Sequence, residues 1–498
     1  MRTSRPCWTR WRGVGTRQLW CTVADGSAAA RWSTRRTGPP GYWIATALVR
    51  GDVVTLLGGN APEMITGRYA ANLLGCGVTE PYGGLSAEAK AKIVADVDTG
   101  ILLVDPSFRD NAAQVLERCS PGAVLSFGDG IGPDLLALAA AESAEPVVCG
   151  ARPDDVQQIR HTGGTTGHPE GICYTFDHHR RVLNLGIAGE EPDYQRRQLV
   201  CTTIAHAAGG FADRSLARGG LVVLQDEFDP AEVLAAVERE RITDMWLLPP
   251  LIYRLLDHPD SEDTDLSSLR NVVYGGCRAN PTRMSEAVER FGPVFTQVYG
   301  QTEAGLISVL TPREHHDPEL LGTAGRVAPT TELAICDEHG DRIAEGERGE
   351  LWARTGMEMD GYWKQPELTA RTVQDGWVDT GDVGYLDVEG YLHVVDRVKD
   401  VIVVVGGHVC TSEVENVLME HPGVRGAAVF GTPDPNGAER VHAAVVTAED
   451  VADEDLTSLV EERKGAMYVP SDVTFVRQLP LTDVGKPDKK ALRAQLVG

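Results

Sequence analysis

Four short strings in the chain carry residues whose types and spacing could do chemistry. The first runs Ile159-Arg-His-Thr-Gly-Gly-Thr-Thr-Gly-His-Pro-Glu-Gly171, after a stretch of strand character. Glycines let successive backbone N–H groups turn inward as an anion nest, and threonine hydroxyls add donors, so this loop could cradle phosphate. No Gly-Lys-Ser/Thr ending closes it, which sets it apart from a Walker-type loop. The second, Val298-Tyr-Gly-Gln-Thr-Glu303, places a ring that can stack on a base just before a carboxylate that can hold a hard cation. The third, Trp377-Val-Asp-Thr-Gly-Asp382 with Asp396-Arg397 beyond it, offers a carboxylate to a pair of sugar hydroxyls and an arginine for charge-assisted donation. The fourth, Leu481-Thr-Asp-Val-Gly-Lys486, presents a lysine on a glycine turn. Brought to a phosphate, that ammonium could neutralise charge developing in nucleotidyl transfer. Taken singly, each string has an ordinary alternative: a flexible hairpin, a strand end, a turn with a surface ion pair, a solvated cation.

Such strings need elements to position them. Apolar runs at 53–57, 101–104, 199–204, 221–224, 245–248, 272–274 and 294–298 read as strands. Helical spacing opened by proline appears at 62–74, 230–240 and 281–291. Strands alternating with helices of this length imply parallel sheets covered by helices. The stretch 320–395 is richer in glycine, with short β runs at 333–335, 350–353 and 391–395, and predicts a barrel or antiparallel piece. After Asp400 come a strand at 401–405, a helix at 412–420, two strands, a helix near 453–463 and a last helix from Asp488, a small α+β unit.

Composition limits the partners. At 498 residues the chain is too long for one core, and 42% hydrophobic with 24% charged residues is an ordinary globular balance. A net charge of −25 argues against nucleic acid, which calls for a basic surface. The ten cysteines show no CxxC pair and no zinc-ligand spacing, which reads as reduced thiols and a cytoplasmic setting. No apolar run has the length of a membrane span. Residues 1–38 stand apart, rich in arginine and tryptophan with the single acid Asp25; they read as a transit-like leader or as a poorly ordered start, and carry no functional expectation.

The order of the four strings is more telling than any one of them. In this order and at these separations they resemble the adenylate-forming superfamily of acyl- and aryl-CoA synthetases, carrier-protein adenylation domains and firefly-type luciferases. Val273-Tyr-Gly-Gly276, Gly356-Met-Glu-Met-Asp-Gly-Tyr-Trp363 and Asp396-Arg-Val-Lys-Asp400 leading to Gly406-Gly407 match as well. The resemblance implies an α/β fold: a large N-terminal domain of two doubly wound α/β subdomains plus a β-barrel-like piece, and a small mobile α+β C-terminal domain. The expected ranges are an atypical segment at 1–45, the large domain at 46–397 and the mobile domain at 400–498.

The resemblance also implies roles. Thr162, Gly163, Gly164, Thr165, Thr166 and Gly167 would close on the β- and γ-phosphates of ATP. The adenine would lie between Gly275-Gly276 and Tyr299-Gly300, with Asp382 and Arg397 on the ribose. Thr302 would hold the α-phosphate, Glu303 a magnesium ion, and Lys486 would bridge the carboxylic acid substrate and the α-phosphate. Lys399 takes the hinge position, Gly406 and Gly407 the path of coenzyme A, and His206, Cys277 and Gly305 the acyl pocket. The implied reaction is ATP-dependent formation of an acyl-adenylate, then transfer to coenzyme A. Transfer to a carrier protein, or a non-catalytic relative that keeps the nucleotide pocket, are the alternatives. Where the family's loop ends Pro-Lys-Gly, this chain has Pro169-Glu170-Gly171, and an acid beside triphosphate should weaken ATP binding.

Overall fold

Short apolar runs in the first half of the chain become buried strands separated by helices. The structure is a computed structural model; it describes residues 17–20 (backbone only), 48–140, 148–162, 170–184, 194–337, 339–344, 346–397, 400–404, 407–433, 439–482 and 485–496. These fall into two compact units, one of residues 1–246, 258–272 and 357–373, the other of 247–257, 273–356 and 374–498.

In the first unit a seven-stranded sheet runs in the order Gly361–Tyr362, Glu170–Thr175, Val156–Thr162, Gly77–Thr79, Val53–Leu57, Ile101–Val104 and Ala123–Ser126. Val53–Leu57 lies parallel to both its neighbours, and every residue of Val53–Leu57 and Ile101–Val104 is buried. Burial on both faces is why these strands read as continuous apolar runs. At the sheet's other side Val156–Thr162 and Glu170–Thr175 pair antiparallel, with Thr162 opposite Glu170. The phosphate-loop candidate is the stretch of chain that connects these two paired strands. Arg197–Val200 pairs parallel with Leu221–Leu224 and with Asp244–Leu247. The strand expected over 199–204 stops at Val200: His206 N–H donates to the Thr203 carbonyl at 3.3 Å, and helix Ala207–Ala217 follows. Arg17–Trp20 adds an antiparallel strand beside Leu221–Leu224. The rest of 1–47 lies outside the described residues.

In the second unit helix Pro281–Phe291 starts where the sequence predicts. Asn280 accepts from Arg283 N–H at 3.0 Å, and Pro281 supplies a preset φ at the first turn. Hairpin Phe295–Gln301 and Gly305–Leu310 follows it. Glu332–Cys336, Gly349–Arg354, Trp377–Leu386 and Leu392–Arg397 pair in that order, all antiparallel, so the glycine-rich stretch takes the antiparallel form. Beyond residue 400, Val424–Pro433 pairs antiparallel with Glu439–Thr447, which runs parallel to Asp472–Phe475. Helices Thr411–Leu418 and Asp453–Lys464 bury Val414, Val417, Leu418, Leu456 and Val460 against this sheet's Val429, Val441, Ala443 and Val445.

Candidate active site

The second string folds as the turn of a hairpin. Phe295–Gln301 and Gly305–Leu310 leave Thr302, Glu303 and Ala304 as the connection, and the ladder shifts register between Tyr299 and Gly300. A side chain on Gly300 would collide with the Gly305 carbonyl, and Gly305 sits at φ +78°. Both glycines are thus requirements of the turn, and a bulge at this place re-aims the side chains beside it. Tyr299 hydroxyl donates to Asp382 Oδ2 at 2.7 Å. Gln301 Nε2 donates to the same oxygen at 2.8 Å and to the Thr380 carbonyl at 2.7 Å.

Asp382 and Arg397 stand directly opposite on neighbouring strands. Arg397 Nε lies 3.1 Å from Asp382 Oδ1; the arginine side chain is 43% exposed and the aspartate 5%. An ionised carboxylate accepts about four hydrogen bonds. Tyr299, Gln301 and Arg397 take three, which fixes the carboxylate and leaves Oδ1 able to accept one more. Burial, then the Asp382 charge, pushes the Tyr299 phenol well above its ordinary value, so it stays a donor.

Lys486 reaches the same region from a closed turn. Gly485 N–H donates to the Thr482 carbonyl, and Thr482 N–H to the Lys486 carbonyl, each at 2.7 Å; Lys486 N–H donates to Thr482 Oγ1 at 3.1 Å. Gly485 and Gly276 both have φ +83° and both face Leu248; a Cβ on Gly276 would lie 3.6 Å from Lys486 Cε. Burial, then Arg397, lowers the affinity of Lys486 for its proton, while Cys277, Asp382 and Glu303 work the other way. Burial pushes the Cys277 thiol up to about 12, which leaves it a neutral wall and not a nucleophile.

The structure thus brings Gly276, Cys277, Tyr299, Glu303, Asp382, Arg397 and Lys486 together, with Thr302 in the turn that carries Glu303 and Gly275 ending strand Asn271–Gly275. Among the described residues no group of three or more His, Cys, Asp and Glu could hold a metal ion. A single carboxylate suits magnesium, which is usually bound by one or two carboxylates and substrate phosphates.

Thr162 ends strand Val156–Thr162; Gly163, Gly164, Thr165, Thr166 and Gly167 lie outside the described residues, as do Lys399 and Gly406. Gly407 opens strand Gly407–Val409. A Cβ on Gly171 would come within 2.8 Å of Ile159, 3.1 Å of His161 and 3.2 Å of Trp363, and Trp363 N–H donates to the Gly171 carbonyl at 2.6 Å. The Gly-Tyr-Trp string therefore braces the exit of the hairpin loop. His206 precedes helix Ala207–Ala217 in the first unit, its ring 6.1 Å from that of Tyr82, whereas Cys277 and Gly305 belong to the second. Sequence reasoning passed over Gln301, Thr380, Leu248 and Arg278. Gln301 and Thr380 each stand two residues from a chosen residue on a strand, a spacing that could have flagged them.

The chain matches known proteins along most of its length. The AMP-binding enzyme family matches residues 44–363, and the AMP-binding enzyme C-terminal domain matches 413–486. The chain is 38% identical over 464 residues to a medium/long-chain-fatty-acid–CoA ligase of Mycobacterium tuberculosis, covering 89% of this chain and 81% of that one. It is 35% identical over 485 residues to a feruloyl-CoA synthase of an Amycolatopsis species, covering 95% of each. Among solved structures it is similar to the amide bond synthetase McbA of Marinactinospora thermotolerans, with a TM-score of 0.84 at 37% identity, covering 95% of this chain and 94% of that one. No helix among the described residues is long and apolar enough to cross a membrane.

Proposed function

Because the chain belongs to the AMP-binding enzyme family, we propose that it activates a carboxylic acid with ATP and passes the acyl group to coenzyme A. It is an AMP-forming acid–thiol ligase. The observation that carries this reading is the convergence of Tyr299, Asp382, Arg397, Glu303 and Lys486. In the first half-reaction a substrate carboxylate oxygen attacks the α-phosphorus of ATP, and the bond to pyrophosphate breaks. Two anions must meet, and Lys486 offsets their repulsion most strongly in the transition state. Asp382 with Arg397 takes the ribose, and Tyr299 with Gly275, Gly276 and Gly300 the adenine. Thr302 holds the α-phosphate, and the 162–167 loop the β- and γ-phosphates. Glu303 would hold a phosphate-bound magnesium, which supplies charge neutralisation when bound. In the second half-reaction the thiol of coenzyme A attacks the acyl carbon and AMP leaves. Lys399 is the hinge between domains at 46–397 and 400–498, Gly406 and Gly407 admit the thiol, and the enzyme works in the cytoplasm.

His206, Cys277 and Gly305 are the residues we assign to the acyl group, and an aromatic or medium-chain acid is the class that the fatty-acid and feruloyl relatives support. A second acceptor reading rests on the similarity to an amide bond synthetase and to a fatty acid–[acyl-carrier-protein] ligase of Streptomyces coeruleorubidus, 29% identical over 472 residues. The test is pyrophosphate exchange into ATP across aryl and fatty acids, followed by coenzyme A, a pantetheinylated carrier and simple amines as acceptors. Exchange with one acid class and a thioester product support the proposal. No exchange from folded protein overturns it, and an amide product moves the acceptor to an amine.

A further inference from the structure

Arg278 directly follows the Gly275-Gly276-Cys277 turn. Its Nη1 shares donation among the Val394 carbonyl at 3.2 Å, the Val395 carbonyl at 3.3 Å and Ser412 Oγ at 2.8 Å. Ser412 is in the first turn of helix Thr411–Leu418, and its own hydroxyl donates to the Val395 carbonyl. Burial lowers the arginine's hold on its proton, and the carboxylates of Glu415, Asp396 and Glu413 work the other way.

The same helix end is tied to the segment that carries Lys486. Lys489, three residues on, donates through Nζ to Thr411 Oγ1 at 2.7 Å and pairs with Glu415 Oε1 at 2.8 Å. Thr411 donates to Asp396 through both its backbone N–H and its hydroxyl, and Asp396 adjoins Arg397. Glu415 Oε1 also accepts from Val429 N–H at 2.8 Å. One short helix end thus joins the adenine-side turn through Arg278, the Asp382–Arg397 pair through Asp396, and the Lys486 turn through Lys489.

From this arrangement we propose that Arg278 is a positioning residue for adenylation: it fastens the Lys486-bearing segment to the glycine turn, and so sets where the ammonium meets the α-phosphate. The inference rests on the function proposed above. Displacement of a catalytic group by about 1 Å can cost about 10²-fold in rate, so losing one anchor need not unfold anything to be visible. In the function proposed above Lys486 acts in adenylation alone, so transfer to the thiol should be indifferent to Arg278.

The test separates the half-reactions in full-length enzyme. Arg278→Met keeps the stem and removes the donors; Arg278→Lys returns one charge. Acid-dependent pyrophosphate exchange is measured with ATP varied, and acyl transfer is measured from pre-formed acyl-adenylate to coenzyme A, or to an amine if that is the wild-type acceptor. The expected result for Arg278→Met is a fall in exchange kcat of about 10- to 100-fold with KM for ATP within about threefold. Transfer from the adenylate should stay within about threefold, and Arg278→Lys should recover part of the exchange. Unchanged exchange in Arg278→Met overturns the proposal, and so does a parallel loss in both half-reactions with a lowered melting temperature. A wild type silent in exchange defeats the parent reading; a wild type that exchanges beside an equally active Arg278→Met defeats this inference alone.

Discussion

Consider the exchange of Lys486 for methionine, which keeps the stem and removes the charge. Without ligand, the ammonium sits where burial and Arg397 both disfavour it, and Asp382 and Glu303 offset this only in part. Its folded pKa is therefore below that of the unfolded chain, which binds the proton more tightly. Stability is then lowest where the folded group must carry its proton, and rises as pH climbs through the folded value toward the ordinary lysine range. Methionine has no such penalty, so the ligand-free variant should melt at the wild-type temperature or slightly above it, without that alkaline rise. With ATP bound the balance inverts. A unit charge about 4 Å from a phosphate oxygen at an effective dielectric near 20 is worth about 4 kcal/mol before desolvation is subtracted. Removing one preorganised partner of a developing negative charge costs about 10²- to 10³-fold in rate. Pyrophosphate exchange should fall by about that factor, and the pH profile of its kcat/KM for ATP, which reports the ligand-free enzyme, should lose an alkaline limb that lies below the ordinary lysine value. Calorimetric melting and exchange on one preparation check both halves of the reasoning. A melting temperature that drops along with activity, or exchange that stays within about tenfold, would refute it.

Three further outcomes are expected. Asp382→Asn keeps the shape but removes the charge that Arg397, Tyr299 and Gln301 converge on; a charged hydrogen bond is worth about 1.5–3 kcal/mol, so AMP affinity by titration calorimetry should fall at least about tenfold. Glu170→Lys replaces an acid opposite Thr162 at the base of the hairpin loop and should lower KM for ATP, measured in steady-state exchange; an unchanged KM sinks the idea. His206→Ala should alter the preference among acids more than ATP binding, and an equal loss for every acid counts against a place in the acyl pocket.

Element boundaries were legible where backbone chemistry is written locally. Pro230–Glu240 and Pro281–Phe291 have the bounds expected from sequence, because Asp229 and Asn280 cap the first turns and proline opens both helices. The apolar run 199–204 misled for a physical reason. Cys201 and Ile204 are buried, at 1% and 4% exposure, but as a turn leading into a helix and not as strand. Hydrophobicity reports burial, and burial alone does not say which backbone delivers it.

The site divides along the same line. Tyr299, Gly300, Thr302 and Glu303 could be read as one string because a hairpin turn with a bulge keeps its parts adjacent in sequence. Asp382 and Arg397 could be read as a pair because two antiparallel strands joined by a short turn bring them into register. Arg278 could not, since its hydroxyl partner Ser412 lies 134 residues away and nothing in the glycine turn before it predicts such an acceptor. Lys489 is the same case: beside Lys490 it looks like a solvated cation, yet it joins Thr411 and Glu415 across more than 70 residues. Residues that touch the reacting groups are constrained by local chemistry and leave a local signature. Residues that place those groups are constrained by tertiary closure. A variant series confined to recognisable strings would therefore sample the chemistry and miss the positioning that Arg278 and Lys489 supply.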